Sequence, residues 1–126
     1  MISEENTQCI LDAVNKASAS WKMAFNSGDA AGCAAQYEAD AVMNALPFGR
    51  FTGKAEIQAF WQKLIHEGFS DIVYIDPEVE VVDEVSAVLS SKWTMNKASG
   101  IITNELWVLQ DDGSAKLRQD DFEAQG

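Results

Sequence analysis

Residues 101–123 read IITNELWVLQDDGSAKLRQDDFE, two runs of alternating side chains joined by the turn DDGS at 111–114. A period of two is the pattern of a β-strand, because successive side chains of a strand point to opposite faces. A short glycine-containing turn between two such runs is typical of a hairpin. The stretch therefore predicts two antiparallel strands, over 101–110 and 115–123.

The turn also predicts which residues of the two strands face each other. If Gln110 pairs with Ala115 across the turn, the register of the whole hairpin follows by counting away from it. The resulting opposite pairs are Glu105 with Asp120, and Trp107 with Arg118.

Alternation assigns the two faces of the predicted sheet. In 101–110 the odd positions share one face, which includes Glu105 and Trp107. In the preceding run, 86–97, the odd positions are apolar and the even ones polar, so Trp93 is expected to point inward. The inward face would then carry one or two carboxyl groups among aromatic side chains. A register one residue different would exchange the two faces.

Helices are predicted before these strands. The apolar spacing and cap residues predict a first helix from Ser3 to Gly28, a short second one from Asp29 to about Tyr37, and a third between Gly53 and Gly68. Further strands are predicted over 41–46, with a turn at 47–50, and over 69–82, with an edge or bulge near Pro77. Helices first and strands last indicate an α+β fold in one domain, 1–126, with helices on one face of the sheet.

Composition excludes several kinds of partner. The chain has 126 residues and a formal net charge of −11, so phosphate backbones and anionic lipid surfaces are repelled, and neither nucleic acid nor membrane is expected as a partner. The N-terminus does not resemble a signal peptide, which predicts a cytoplasmic protein. Two cysteines without metal-ligand spacing, a single histidine and no phosphate-binding glycine motif predict no metal and no cofactor.

Four stretches carry a resemblance to a known superfamily. They are WKMAFNSGD at 21–29, YEADAV at 37–42, PFG at 47–49 and GKAEIQAFW at 53–61. In this order and spacing they resemble the NTF2-like superfamily, in its ketosteroid isomerase-like and SnoaL-like (polyketide cyclase-like) branch. The resemblance implies a cone-shaped fold, with N-terminal helices packed on a curved mixed or antiparallel sheet that encloses a pocket, usually in a homodimer.

The resemblance also implies roles for individual residues. In the isomerases a tyrosine and a protonated aspartic acid stabilise an enolate oxygen; these positions fall on Trp21 and Glu105. A pocket tyrosine is retained as Tyr37, a supporting tyrosine falls on Trp61, and a pocket tryptophan falls on Phe122. The general base is missing: its position falls on Ala45 or Leu46, and the nearest polar side chain is Asn44. Steroid isomerase activity is therefore not expected.

The candidate site combines the two arguments. Glu105 is the candidate catalytic residue and Asp120 a weaker one. The candidate ligand-binding residues are Trp21, Tyr37, Asn44, Phe60, Trp61, Trp93, Trp107, Arg118 and Phe122. Three alternatives remain: Glu105 could face outward or pair with Arg118, Asp120 and Arg118 could form a structural ion pair, and the aromatic residues could be ordinary core. If Glu105 faces the pocket away from Arg118, desolvation should raise its pKa.

Three functions fit these observations. The first is an isomerase-, cyclase- or dehydratase-type acid–base enzyme acting on a small apolar carbonyl compound. The second is a ligand-binding domain with the same pocket and no catalysis, which the missing base favours. The third is an association module that works through its sheet face. A homodimer is expected through the outer face of the sheet, predicted to carry Lys92, Thr94, Asn96, Ile102, Leu106 and Val108.

Overall fold

A computed structural model describes residues 4–125 of the chain. Three helices and six strands follow one another along the chain. They are α1 (Glu4–Asn26), α2 (Ala30–Ala34), β1 (Tyr37–Leu46), β2 (Gly49–Thr52), α3 (Lys54–His66), β3 (Val73–Val81), β4 (Ser86–Thr94), β5 (Ser99–Leu109) and β6 (Ala115–Ala124).

The strands form one six-stranded mixed sheet in the order β2-β1-β6-β5-β4-β3. The β1–β6 pair is parallel and every other neighbouring pair is antiparallel. Helix α1 packs across β3 to β6, and α3 packs against β1 and β2, so the helices cover one face of the sheet. The predicted α+β arrangement is confirmed.

The helices form where apolar periodicity and capping coincide. In α1 the buried residues recur every three or four positions and make one stripe: Ile10, Val14, Ala17, Trp21 and Phe25. Asp29 begins α2 as predicted, and its side chain accepts a hydrogen bond from the backbone N–H of Gly32 (2.9 Å). The predicted cap residue Ser3 lies outside the described residues.

The boundary between α2 and β1 differs from the prediction. Helix α2 ends at Ala34, and Tyr37 is the first residue of β1 rather than the end of the helix. The parallel pairing of β1 with β6 places Tyr37 beside Leu117, which extends β1 four residues before the predicted start at 41. Strand β2 is a second difference: the turn predicted at 47–50 overlaps Gly49–Thr52, which pairs antiparallel with β1.

Two bulges in the predicted hairpin change which residues face inward. Thr103 is an extra residue in β5, since Ile102 pairs with Phe122 while Asn104 already pairs with Asp121. Ile102 is therefore buried on the inner face, and its predicted place on the outer face is wrong.

Arg118 is the extra residue in β6, because Leu106 pairs with Gln119 but Trp107 pairs with Leu117. The predicted opposition of Trp107 and Arg118 is therefore wrong. The turn pairs Leu109, not Gln110, with Ala115, and the bulge cancels that one-residue error. Glu105 lies opposite Asp120, as predicted.

Strand β3 is an edge strand with a register shift between Ile75 and Glu78, as Pro77 predicted. Asn96, predicted on the outer sheet face, lies beyond the end of β4. There its amide accepts from the backbone N–H of Ser70 (3.0 Å) and donates to the carbonyl of Gly68 (2.8 Å). No helix among residues 4–125 is long and apolar enough to cross a membrane.

Candidate functional site

An apolar cavity lies between the helices and the inner face of β3 to β6. Helix α1 contributes Trp21, α3 contributes Trp61, and Phe48 of the β1–β2 turn closes one side while remaining about half exposed. The free volume is about 40 Å³, enough for a few water molecules. The lining residues are Trp21, Phe48, Trp61, Leu64, Phe69, Ile72, Tyr74, Trp93, Met95, Ala98, Ile102, Glu105, Asp120 and Phe122.

Aromatic rings pack against one another around this cavity. Trp21 and Trp61 meet edge to face with ring centroids 4.9 Å apart. The Trp61 ring stacks on Phe122 at 5.7 Å, and Trp93 meets Phe122 edge to face at 6.3 Å. Such offset and edge-on pairs are the favoured geometries of aromatic rings. The walls are therefore apolar and held in defined positions.

Glu105 lies in the inner wall and is 4% exposed. Its Oε1 accepts the indole N–H of Trp107 (3.1 Å), and its Oε2 accepts the hydroxyl of Tyr74 (3.3 Å). Burial raises the pKa of Glu105 well above the ordinary value, and the charge of Asp120 raises it further. The two hydrogen bonds act in the opposite direction without cancelling the burial. This is the direction that the sequence predicted.

Asp120 lies opposite Glu105 and is 3% exposed. Its Oδ2 accepts the hydroxyl proton of Tyr37 (2.7 Å), and that hydroxyl oxygen accepts the indole N–H of Trp61 (3.3 Å). Burial raises the pKa of Asp120 to about 7, against the hydrogen bond from Tyr37, which lowers it. Side chains directly opposite on one face of a sheet have Cβ atoms about 4.5–5.5 Å apart. Two carboxyl groups thus share a site that disfavours two negative charges.

Three buried polar atoms of residues that line the cavity lack a hydrogen-bond partner. Within residues 4–125, Nε1 of Trp21, Nε1 of Trp93 and Oδ1 of Asp120 are buried and have no hydrogen-bond partner. A buried polar group without a partner costs about 1–3 kcal/mol. The cavity combines mainly apolar lining residues with the two carboxyl-bearing residues Glu105 and Asp120, and such a mixture is the usual composition of a small-molecule site.

The structure separates the predicted ligand-binding residues into three groups. Trp21, Trp61, Trp93 and Phe122 line the cavity together with Glu105 and Asp120. Three predicted residues do not line the cavity but contact residues that do. Tyr37 donates a hydrogen bond to Asp120, and Trp107 donates one to Glu105. The ring of Phe60 packs against the rings of Trp61 and Phe122. Arg118 and Asn44 lie outside the cavity lining.

Arg118 and Asn44 are corrections to the predicted geometry. The bulge turns Arg118 away from the cavity. The Arg118 side chain is 59% exposed, and its Nε–H donates to Oε1 of Glu38 (2.7 Å). Among the described residues Arg118 therefore pairs with Glu38, and neither the alternative pairing of Arg118 with Glu105 nor an ion pair of Arg118 with Asp120 is present. Asn44 alternates with the buried Met43 and Ala45, so it points to the outer face, where it donates to Asp121 (2.7 Å).

Tyr74 is a site residue that the sequence prediction missed. It lies on β3 opposite Trp93, lines the cavity and donates its hydroxyl to Glu105. The ammonium group of Lys22 lies 4.6 Å from the centroid of its ring. The predicted strand 69–82 contained Tyr74, but the bulge near Pro77 made its inner face hard to assign. An aromatic residue in a strand beside the predicted inward Trp93 was the available signal.

The fold and the site define a class of protein: a sheet covered on one face by helices, around an apolar pocket with buried carboxyl groups. The SnoaL-like domain family matches residues 18–113. The chain therefore belongs to the SnoaL-like family of the NTF2-like superfamily. No curated protein matches the sequence significantly.

Solved structures of similar fold share little sequence with the chain. One from Novosphingobium aromaticivorans, provisionally assigned as a scytalone dehydratase, has a TM-score of 0.83 at 14% identity, covering 98% of this chain and 89% of that one. A ketosteroid isomerase-like protein from Erwinia carotovora atroseptica has a TM-score of 0.78 at 19% identity, covering 92% and 96%. ActVI-ORFA from Streptomyces coelicolor has a TM-score of 0.75 at 15% identity, covering 91% and 97%. At these identities the likeness concerns the fold.

Proposed function

We propose that the protein binds a small, mostly apolar carbonyl compound in this cavity, whose free volume of about 40 Å³ widens as the ligand enters. The protein moves a proton on this ligand through Glu105 and Asp120. The observation that carries the proposal is the placement of two carboxyl groups opposite each other in an aromatic cavity. Family membership supports it, because the similar folds include proteins named as a dehydratase and as isomerase-like.

Asp120 is the proton acceptor in this proposal. A general base works best when its pKa lies near the operating pH, and burial raises the pKa of Asp120 to about 7. Its Oδ1 has no partner among the described residues, while Tyr37 holds Oδ2 and so orients the carboxyl group. The expected base position of the isomerases, Ala45 or Leu46, carries no carboxyl group. Asp120 thus takes that role from a different strand.

Glu105 is the proton donor. Its raised pKa keeps it protonated at higher pH than an exposed glutamate. In the proposed step the Asp120 carboxylate takes a proton from the carbon next to the ligand carbonyl. The electron pair of that C–H bond forms the C=C bond of an enol, and the carbonyl oxygen receives the proton of Glu105. The reverse transfers return the protons to the ligand carbon and to Glu105.

The test is hydrogen exchange on a simple ketone. We expect cyclohexanone in heavy water to gain deuterium next to its carbonyl faster with the wild-type protein than in buffer, as followed by proton NMR. Tryptophan fluorescence measures binding in the same samples. Binding without exchange would leave the second candidate, a non-catalytic ligand-binding domain, which the missing isomerase base favours. Failure of this and other single-ring ketones to bind would contradict both.

The proposal includes two properties of the whole molecule. The outer sheet face carries Ile75, Ile101 and Leu106, which are exposed or half-buried in the single chain and support a homodimer through that face. Both cysteines are free thiols, Cys9 exposed and Cys33 buried. Free thiols support a cytoplasmic location, where disulfides are rare.

A further inference from the structure

A lysine on α1 contacts the candidate site through the ring of Tyr74. The ammonium group of Lys22, a half-buried residue, lies 4.6 Å from the centroid of that ring, which is a cation–π contact. The hydroxyl group of the same ring donates to Oε2 of Glu105 (3.3 Å). Among residues 4–125 the ammonium group forms no ion pair with a carboxylate. The cation, the phenol and the buried carboxyl group therefore form a continuous row of contacts.

The proposed reaction moves a negative charge from one carboxyl group to the other. Before the proton transfers Asp120 is ionised and Glu105 is protonated. After them Asp120 holds the proton from the ligand carbon, and Glu105 is ionised. A buried carboxylate is costly unless hydrogen-bond donors or a nearby positive charge replace its lost hydration. The groups that stabilise ionised Glu105 therefore favour the proton transfer to the ligand.

The surroundings of Glu105 contain two donors and one cation. Burial raises the pKa of Glu105, while the hydrogen bonds from Trp107 and Tyr74 lower it. The positive charge of Lys22 also lowers this pKa. Burial and the charges of the two carboxyl groups raise the pKa of Tyr74, so its hydroxyl group keeps its proton and remains a donor. A cation over the ring attracts the ring electrons, and this polarisation strengthens the hydroxyl group as a donor.

The other titratable groups around Glu105 provide no positive charge. Asp120 on β6 raises the pKa of Glu105 through its own charge, in addition to the larger effect of burial. Tyr37 on β1 keeps its hydroxyl proton, because burial and the charge of Asp120 raise its pKa. The residues that line the cavity include no lysine, arginine or histidine. The positive charge of Lys22 therefore acts from behind the ring of Tyr74.

We infer that Lys22 is a positioning residue of this site, which stabilises ionised Glu105 through the ring and the hydroxyl group of Tyr74. The inference rests on the proposed function and names a residue that regulates it. Lys22 does not line the cavity, whereas Tyr74 does. Its effect falls on the state in which Glu105 has given up its proton. Lys22 should therefore change the rate of proton transfer and leave ligand binding unchanged.

The test is the pKa of Glu105, measured by carbon-13 NMR of its carboxyl carbon in the ligand-free full chain. Lys22→Gln should raise this pKa, because ionised Glu105 loses the nearby positive charge. Lys22→Arg keeps a cation that can lie over the ring, so it should keep the pKa close to the wild-type value. The matched control is Lys16→Gln, which removes the same charge from an exposed position of α1 and should leave the pKa unchanged.

Tyr74→Phe distinguishes an effect through the phenol from a general effect of charge. This variant keeps the ring under the cation and removes the hydroxyl group, so it should raise the pKa of Glu105. In the Tyr74→Phe background, Lys22→Gln should shift the pKa of Glu105 less than it does in the wild type, because the donor that transmits part of the effect is gone. Equal shifts in the two backgrounds would overturn the inference.

Exchange on cyclohexanone in heavy water provides the second measurement. Lys22→Gln should slow the protein-catalysed exchange about two- to fivefold, the size expected of one cation–π contact near the surface, with unchanged cyclohexanone binding by fluorescence. An unchanged pKa of Glu105 in Lys22→Gln, or an equal change in Lys16→Gln, would overturn the inference. Exchange by the wild-type protein would then leave the proposed function standing. Absence of exchange by the wild-type protein would remove the proposed function and, with it, this role of Lys22.

Discussion

Asp120→Asn should lower the rate of protein-catalysed exchange on cyclohexanone by about 10²–10⁴-fold, the usual contribution of a positioned general base. The substitution keeps the size of the side chain, and Tyr37 can still donate to the amide oxygen. It removes the group that accepts the proton, because an amide does not take up a proton near neutral pH. Exchange measured by proton NMR, with binding followed separately by fluorescence, gives the effect on the proton transfer itself.

The matched control is Asp121→Asn, the same change one residue along β6. Asp121 points to the outer face of the sheet, where it accepts from Asn44 and Gln119 (2.7 Å each). This variant loses the same charge outside the cavity. Because the charge of Asp121 contributes, after burial, to the raised pKa of Asp120, the exchange rate should change by less than about tenfold, well short of the loss of about 10²–10⁴-fold expected when the base is removed. Equal rates for Asp120→Asn and wild type would show that Asp120 is not the base.

Raising the pH from about 4 to about 7 should lower the free energy of unfolding of the wild-type protein. Burial raises the pKa of Asp120 from 3.8 to about 7, and it raises the pKa of Glu105 in the same direction. Between these values the native state keeps a proton that the unfolded state has released. In this range each such group therefore lowers the free energy of unfolding by up to about 1.4 kcal/mol for each unit of increase in pH. The stabilisation is complete below about pH 4 and is lost as the pH rises through about 7.

The control for this prediction separates the carboxyl pair from general charge effects. The net charge of −11 also destabilises the folded chain as the pH rises, through repulsion among surface carboxylates. The double variant Glu105→Gln, Asp120→Asn should lose most of the pH dependence, whereas Asp111→Asn, in the exposed β5–β6 turn, should keep it. Urea unfolding at several pH values measures the difference. Parallel curves for the wild type and the double variant would contradict the account.

The central feature of the site was predictable because it depends on local pattern. Alternation in 101–123 placed Glu105 opposite Asp120 on the inner face, and the resemblance independently indicated an acidic group at Glu105. Two differences cancel in this agreement. The predicted register at the turn was wrong by one residue, and the extra residue Arg118 in β6 shifts the pairing back by one, so that Glu105 still lies opposite Asp120. The helices were predictable as well, since apolar stripes and glycine ends determine them.

The bulges in β5 and β6 and the contact between Tyr37 and Asp120 could not be predicted, because no local pattern in the sequence indicates them. The bulges at Thr103 and Arg118 arise from pairing across three strands, and each reverses the face of the residues beyond it. For this reason simple alternation predicts Ile102 on the outer face and Arg118 on the inner face, the reverse of what is observed. The hydrogen bond between Tyr37 and Asp120 spans 83 residues of sequence. Tyr37 and Asp120 come together because β1 and β6 pair in parallel. No turn joins these two strands, and no periodicity in the sequence predicts that they are neighbours.

A carbon-13 NMR titration of the carboxyl carbons of Glu105 and Asp120 tests the central claim most directly. The account predicts that both titrate above their ordinary values of 4.5 and 3.8, with Asp120 near 7. It further predicts that Asp120→Asn lowers the pKa of Glu105, because the charge that disfavours its ionisation is removed. Midpoints at or below the ordinary values for both groups would contradict the account, since two fully ionised carboxylates could not share this cavity as an acid and a base.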